Sequence, residues 1–237
     1  MRSASRTLTI AAAQPACTAK DVRANAVEHG AAIRAADARL VVFPELSLTG
    51  YELEADPVSV GDQALRPVIE ACAETDSVAL VGAPAGDGDG RLHIAALRVD
   101  GDGVDLVYRK SYLGGDEPER FSPGDGAVSL DVDGWRVGVG ICKDTGVADH
   151  VSDVAALDVN VYVAGLVHLP EELDMQEERA RNIARACGCY VVFASFAGGT
   201  GGGFDRTAGV SSIWAPDGTA IVRAGAEAGE IARAALP

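Results

Sequence analysis

Residues 135–142 read WRVGVGIC, a short apolar run that follows the turn-forming DVDG of 131–134 and closes on a cysteine. Apolar runs of this length, bounded by turn residues, are strands. Outward from this run the same pattern recurs in both directions: TLTIAAAQ (7–14), LVVFPE (40–45), VALVGAP (78–84), HIAALRV (93–99), VDLVYRK (104–110), VNVYVAG (159–165), YVVFASF (190–196) and AGVSSIWAPDG (208–218). Helical spacing appears between some of them. The clearest case runs from about 19 to 39, where Val22, Ala26, Gly30 and Ile33 share a face and Thr18 with Asp21 offers a capping-box start. Further helices are expected over about 62–74 and 171–188. DGDG at 87–90 and 100–103 and DVDG at 131–134 lack the remaining ligands of a calcium loop and read as hairpin turns. They set 93–99, 103–110 and 135–142 as successive antiparallel neighbours, while strands joined through helices pair in parallel. The result is a mixed sheet in a layered α/β fold.

Composition narrows the function. A chain of 237 residues with 48% hydrophobic content can bury the core of one large domain, expected to span 1–237. Its net charge of -15 opposes nucleic-acid binding, which requires a basic surface to displace counterions. Five cysteines, at 17, 72, 142, 187 and 189, show no zinc-ligand spacing and read as reduced thiols. Cys187 and Cys189 alternate as at a strand entry and read as structural. The N-terminal stretch carries Arg2, Arg6 and an apolar run at 8–13, but Gln14 and Pro15 break that run short of a signal-peptide core, so a cytoplasmic location is expected. No stretch reaches membrane-spanning length, so no membrane partner is expected.

Three strands end in a reactive side chain: LVVFP leads to Glu45, VDLVYR to Lys110 and VGVGI to Cys142. A strand end is a rigid place for a catalytic group. The 20 basic residues comprise 17 arginines and three lysines (20, 110 and 143), so a lysine at 110 is a specific choice. It supplies a compact ammonium suited to a developing negative charge. The residues alone leave other readings open: the cysteine as core filler, Glu45 as a surface charge, and Lys110 as half of an exposed ion pair. His29, His93, His150 and His168 stand in unrelated contexts, so a base for Cys142 is sought among carboxylates. The glycine-rich GGTGGG at 198–203 leads into another strand rather than a helix, which opposes a phosphate site and favours a flexible loop beside a pocket.

VVFPELSLTGY (41–51), YRKSYL (108–113) followed by ERFSPGD (119–125), and VGVGICKD (137–144), in this order, resemble the nitrilase superfamily of carbon-nitrogen hydrolases. AAAQP (11–15) and GVSSIWAPDG (209–218) extend the resemblance over nearly the whole chain. The resemblance implies a single-domain αββα sandwich and a Glu-Lys-Cys triad of Glu45, Lys110 and Cys142, with Glu117 as a further catalytic glutamate. It implies an amidase-like enzyme that cleaves a non-peptide C–N bond of a small amide through a thioester, without cofactor or metal. Glu45 would serve as base, and Lys110 with the backbone N–H of Lys143 would hold the oxyanion. A carbamoyl or nitrile substrate, acyl transfer to an amine, and a non-catalytic scaffold are the alternatives; the last predicts a lost triad, and all three residues are present. The resemblance also implies a homodimer, or a higher homo-oligomer, formed across the helices near Cys142.

The sequence departs from the family pattern in places. Lys143 replaces the aromatic residue that usually follows the cysteine, Asp144 is retained, and Asp149 stands where a later glutamate is usual. Lys143 and Asp144 are therefore candidate substrate-binding residues. For Lys143, contact with an anionic substrate group, a lowered thiol pKa and a solvent-facing role all stay open. Arg181 fits an arginine-rich helix, but Ala186 and Cys187 replace a glutamate-asparagine pair, so that helix must be anchored differently.

Overall fold

Strand β7 (Trp135–Ile141) alternates valine and glycine, and the two faces of the strand put that alternation to different uses. Val137, Val139 and Ile141 enter an apolar core, whereas Gly138 and Gly140 face a helix layer. A Cβ at Gly138 would meet Val154 and Val159 at 3.0 and 3.1 Å. A Cβ at Gly140 would run into the hydroxyl of Tyr162 and lie 2.7 Å from its Cζ. The glycines let buried side chains lie across the strand.

The same two-faced logic extends through the whole computed structural model, which describes residues 7–237; Arg2 and Arg6 lie outside them. One six-stranded sheet has the order β12-β1-β2-β3-β4-β5. It comprises β1 (Leu8–Ala13), β2 (Leu40–Val42), β3 (Val78–Gly86), β4 (Leu92–Val99), β5 (Val104–Arg109) and β12 (Ile231–Leu236). The second has the order β11-β10-β9-β8-β7-β6. Its other strands are β6 (Val128–Val132), β8 (Val161–Leu166), β9 (Tyr190–Ser195), β10 (Ser212–Trp214) and β11 (Ala220–Arg223). Leu8, Ile10 and Ala12 of β1 meet Val137, Val139 and Ile141 of β7 in the core between the sheets. Ala11 and Ala13 turn the other way, towards α1 (Val22–Ala36) and α2 (Arg66–Thr75). On the far side α3 (Ala148–Ala156) and α4 (Leu173–Cys187) cover the second sheet through Val154, Ala180 and Ile183. The layers are therefore helix, sheet, sheet, helix, the αββα sandwich expected.

Strands joined by helices pair in parallel, as β1-β2, β2-β3, β7-β8 and β8-β9 do. The three acidic-glycine turns each close an antiparallel hairpin, β3-β4, β4-β5 and β6-β7. At the last of these Asp133 and Gly134 both have positive φ, 53° and 85°, the geometry of a tight two-residue hairpin turn. One expected neighbour relation fails: β5 and β7 lie in different sheets. Residues 110–127 carry the chain across from the first sheet to the second, and β6, whose alternating exposure hides it as a strand in an apolar search, is the true partner of β7. Two smaller expectations also change. Asp21, not Thr18, caps α1, its carboxylate accepting from the N–H of Ala24. Cys187 closes α4 and Cys189 is buried beyond the left-handed Gly188, so the pair marks a helix end rather than a strand entry.

Replacing Gly140 by alanine forces a Cβ against the fully buried Tyr162, which has no room to withdraw. Gly140→Ala should lower the unfolding free energy by about 1–3 kcal/mol, read by urea denaturation.

Candidate active site

Glu45 lies in a turn that leaves β2 and is held between the two sheets. A Cβ at Gly82 on β3 would come within 2.9 Å of the Glu45 carbonyl carbon, and one at Gly165 on β8 within 2.7 Å of its backbone N. Only glycine on both strands admits the turn. Its backbone N–H groups are spoken for: that of Phe43 donates to Leu80 O at 2.9 Å and that of Leu48 to Gly82 O at 2.9 Å. His29 of α1 stacks on Phe43 at 4.2 Å and reaches the Ser47 hydroxyl at 2.8 Å. Burial holds that imidazole's pKa down at about 4, so it acts as a neutral packing group.

Lys110 continues directly from β5, its N–H donating to Ile94 O at 2.8 Å. Its ammonium donates to Glu45 Oε1 and to Glu117 Oε1, both at 2.6 Å. All three residues are 1% exposed, so the cluster lies out of bulk solvent. Glu117 comes from a single turn at 117–119 and also accepts from the Tyr51 hydroxyl at 2.6 Å and the Gly114 N–H at 2.7 Å. Glu45 Oε2 is buried and has no protein partner. Burial raises the Glu45 pKa well above the carboxylate range, and the neighbouring Cys142 and Glu117 add to this against the opposing pull of Lys110. Burial alone would lower Lys110, but Glu45, Cys142 and Glu117 outweigh it and keep the ammonium charged. A raised carboxylate beside a fixed cation combines a stronger base with an electrophilic donor.

Cys142 follows β7 with φ of 40°, in the left-handed region, and opens the turn 142–146. That conformation is strained for a residue with a Cβ, and the surrounding turn imposes it. Asp144 does the holding: one oxygen accepts from the Ile141 N–H at 2.9 Å and the Tyr108 hydroxyl at 2.8 Å, the other from the Tyr112 N–H at 2.9 Å. Asp144 is 0% exposed, so its carboxylate is turned into the protein, away from any substrate. Lys143 is exposed, and its stem passes over Gly114, where a Cβ would meet Lys143 Cδ at 3.2 Å. The half-buried Cys142 sulfur lies 3.6 Å from the Val167 carbonyl oxygen and 3.8 Å from His168 Nε2. Among the described residues, no group of three or more His, Cys, Asp or Glu is arranged to hold a metal ion, and no helix is long and apolar enough to cross a membrane.

The structure thus gathers Glu45, Lys110, Glu117 and Cys142 from four separate segments. Tyr51 and His168 are neighbours that the sequence reading passed over. Tyr51 belongs to the VVFPELSLTGY segment, but only the fold brings its hydroxyl to Glu117; His168 follows β8 with no surrounding signature. The GGTGGG segment packs on the Glu45 side of the site, Thr200 O accepting from the Tyr51 N–H at 3.0 Å and the Gly202 N–H donating to Glu52 at 2.9 Å.

The pattern of the carbon-nitrogen hydrolase family matches residues 8–237. The chain belongs to the carbon-nitrogen hydrolases. A protein described as the hydrolase in the pqqF 5′ region of Pseudomonas protegens is 31% identical over 207 residues, 83% of this chain and 71% of that protein. An (R)-stereoselective amidase of a Pseudomonas species is 32% identical over 133 residues, 54% of this chain and 48% of the relative. Among solved structures, a Cys→Ala mutant of a Nesterenkonia AN1 amidase from the nitrilase superfamily superposes with a TM-score of 0.85 at 22% identity, covering 97% of this chain and 90% of that one. Nit3 of Saccharomyces cerevisiae, of branch 10 of the nitrilase superfamily, gives 0.85 at 22% identity, covering 99% and 93%.

In this carbon-nitrogen hydrolase, α4 is fastened to β11 through the Glu177–Arg223 pair. Ala186 is exposed and Cys187 half-buried, while Arg181 and Arg223 both pair with Glu177 and lie over the Trp214 ring, 5.4 and 4.7 Å from its centroid. Asp149 sits exposed in the first turn of α3.

Lys110→Met removes the cation from between two buried carboxylates. The loss should amount to about 3–5 kcal/mol of unfolding free energy, measured by denaturant titration, because Glu45 and Glu117 are left uncompensated in a dry site.

Proposed function

We propose that this enzyme hydrolyses the C–N bond of a small, non-peptide amide through a thioester on Cys142. The observation that carries the reading is the ammonium of Lys110 fixed at 2.6 Å from both Glu45 and Glu117, with Glu45 Oε2 left unpaired. Glu45 takes the Cys142 thiol proton as the sulfur attacks the amide carbon; the carbonyl π pair moves to oxygen. Lys110 and the Lys143 N–H, at the N-terminal end of the turn, donate to that oxyanion. Glu45 returns the proton to the leaving nitrogen, the C–N bond breaks, and the amine or ammonia departs. Water, deprotonated by Glu45, then attacks the thioester and releases the acid with the free thiol. Glu117, tied to Tyr51 and Gly114, keeps the lysine directed at the oxyanion position. Glu45, Lys110, Cys142 and Glu117 are thus the proposed catalytic set.

Lys143 is the proposed specificity residue. Its exposed ammonium beside the nucleophile suits a substrate that bears a carboxylate or other anion at its far end. Asp144 is assigned to holding the nucleophile turn. Two copies are proposed to pair across the face of α3 and α4, where Val147, Val151, Met175 and Ile183 line a groove; sedimentation of the purified protein at micromolar concentration should show a dimer, and a monomer would refute it.

An amide panel with ammonia detection should reveal activity that Cys142→Ala abolishes, with an acyl adduct on Cys142 seen by mass spectrometry in the active protein. Glu45→Gln should lower kcat by at least about a hundredfold. No adduct on the native protein, together with full activity in Cys142→Ala, would show the nucleophile to be another group. Lys143→Ala should raise KM about tenfold for an amide with a terminal carboxylate and leave its neutral analogue unchanged, since a lost ion pair affects only the charged ligand.

A further inference from the structure

The surroundings of the Cys142 sulfur hold a group that the amide mechanism above does not use. Two acceptors flank the sulfur, the Val167 carbonyl oxygen at 3.6 Å and His168 Nε2 at 3.8 Å. A carbonyl can accept a hydrogen bond from the thiol but cannot take up its proton near neutral pH. An imidazole can do both, provided the nitrogen that faces the sulfur carries a lone pair rather than a hydrogen.

That condition is set by Gln176 on α4. Its amide nitrogen lies 3.4 Å from Gly209 O and 3.5 Å from Val210 O, both backbone acceptors. Rotating the amide would put its oxygen against two carbonyl oxygens, so the NH2 group stays there and Oε1 faces His168. Oε1 is 3.0 Å from His168 Nδ1 and can only accept. Nδ1 therefore carries the hydrogen, and Nε2 presents its lone pair to Cys142. Both side chains are buried, Gln176 at 1% and His168 at 3% exposure, so no water competes for either nitrogen. We propose that His168 is a second proton acceptor for the Cys142 thiol, held in the accepting tautomer by Gln176.

In the step assigned, the Cys142 S–H bond breaks and an Nε2–H bond forms, giving a thiolate beside an imidazolium; the proton returns when the pair relaxes. No oxidant, metal or further reactant enters. The charged groups that act on His168 are Arg179 and Glu172 from the α4 segment and Glu45 from across the site. Burial first, and Arg179 next, hold its pKa below the usual histidine value, against the Gln176 hydrogen bond, so the ring is neutral and accepting at neutral pH. The inference rests on Cys142 as the nucleophile. It does not depend on which amide is cleaved, and a probe of the free thiol separates it from the substrate reading.

Two measurements test it. In the wild-type protein labelled with 15N-histidine, the His168 ring nitrogens should report the Nδ1–H tautomer near neutral pH, and the Nε2 signal should move when Cys142 is alkylated with iodoacetamide. The same alkylation, followed across pH 5–9, should slow about tenfold at pH 7 in His168→Leu, and its inflection should move to higher pH, because the thiol has lost an acceptor for its proton. Gln176→Met, which leaves Nδ1 without an acceptor and frees the tautomer, should fall between the two. A purely structural role would lower the melting temperature without moving the inflection. An Nε2–H tautomer in the wild-type protein, or an unchanged alkylation profile in either variant that folds, overturns the proposal.

Discussion

Two buried carboxylates share one ammonium, and that sharing constrains most of the molecule. The Lys110 ammonium lies 2.6 Å from both Glu45 and Glu117, in a site buried from bulk solvent. Ions removed from water are costly unless each is closely partnered, and the compensation is lost steeply with distance. The chain must therefore bring the Glu45 turn, 65 residues away, against Lys110 and fold the 117–119 turn back onto the same ammonium. Packing does this with backbone rather than with side chains. Gly82 and Gly165, one on each sheet, admit the Glu45 turn between them; the 117–119 turn is tied by the Tyr51 hydroxyl and the Gly114 N–H; and Lys110 follows directly on a strand.

The nucleophile is positioned by different means. Where Glu45 is wedged between sheets, Cys142 is held at an unfavourable φ by the carboxylate of Asp144, two residues on, which accepts from the Ile141 N–H just before it. Asp144 binds Ile141 before the cysteine, and Tyr112 beyond the lysine strand, so the same side chain ties the second sheet's turn to the loop that follows β5 of the first. One buried acid thus couples the position of the thiol to that of the ammonium. Its neighbour Lys143, one residue away, points out to solvent. Adjacent residues in a tight turn face opposite ways, which is why one shapes the protein and the other is free to meet a substrate.

On the outer face of the second sheet, α4 is held by ion pairs laid over an aromatic ring. Glu177 joins Arg181 and Arg223 over the Trp214 ring, and nearer the helix end Arg185 donates to Asp217 O at 3.1 Å. Planar guanidinium groups over an indole combine ion pairing with stacking, and both arginines satisfy the same carboxylate. Gln176 of the same helix reaches His168.

Much of the framework was legible in the sequence because it depends on local physics. The short apolar runs, the acidic-glycine turns and the helical spacing of 22, 26, 30 and 33 specify strands, hairpins and helices through side-chain periodicity and backbone preference; the strand ends offered Glu45, Lys110 and Cys142 as candidates, and only the ordered family motifs joined them into a triad. What periodicity does not encode is which strands share a sheet. The crossing at 110–127 separates β5 from β7, and β6 escaped notice because it is half exposed. For the same reason the inward turn of Asp144, the Tyr51–Glu117 bond and the approach of His168 to Cys142 belong to the tertiary structure alone. Each joins residues tens of positions apart, and its chemistry hangs on a hydrogen-bond partner, such as the amide of Gln176, whose orientation is set only when two more distant carbonyls come to rest beside it.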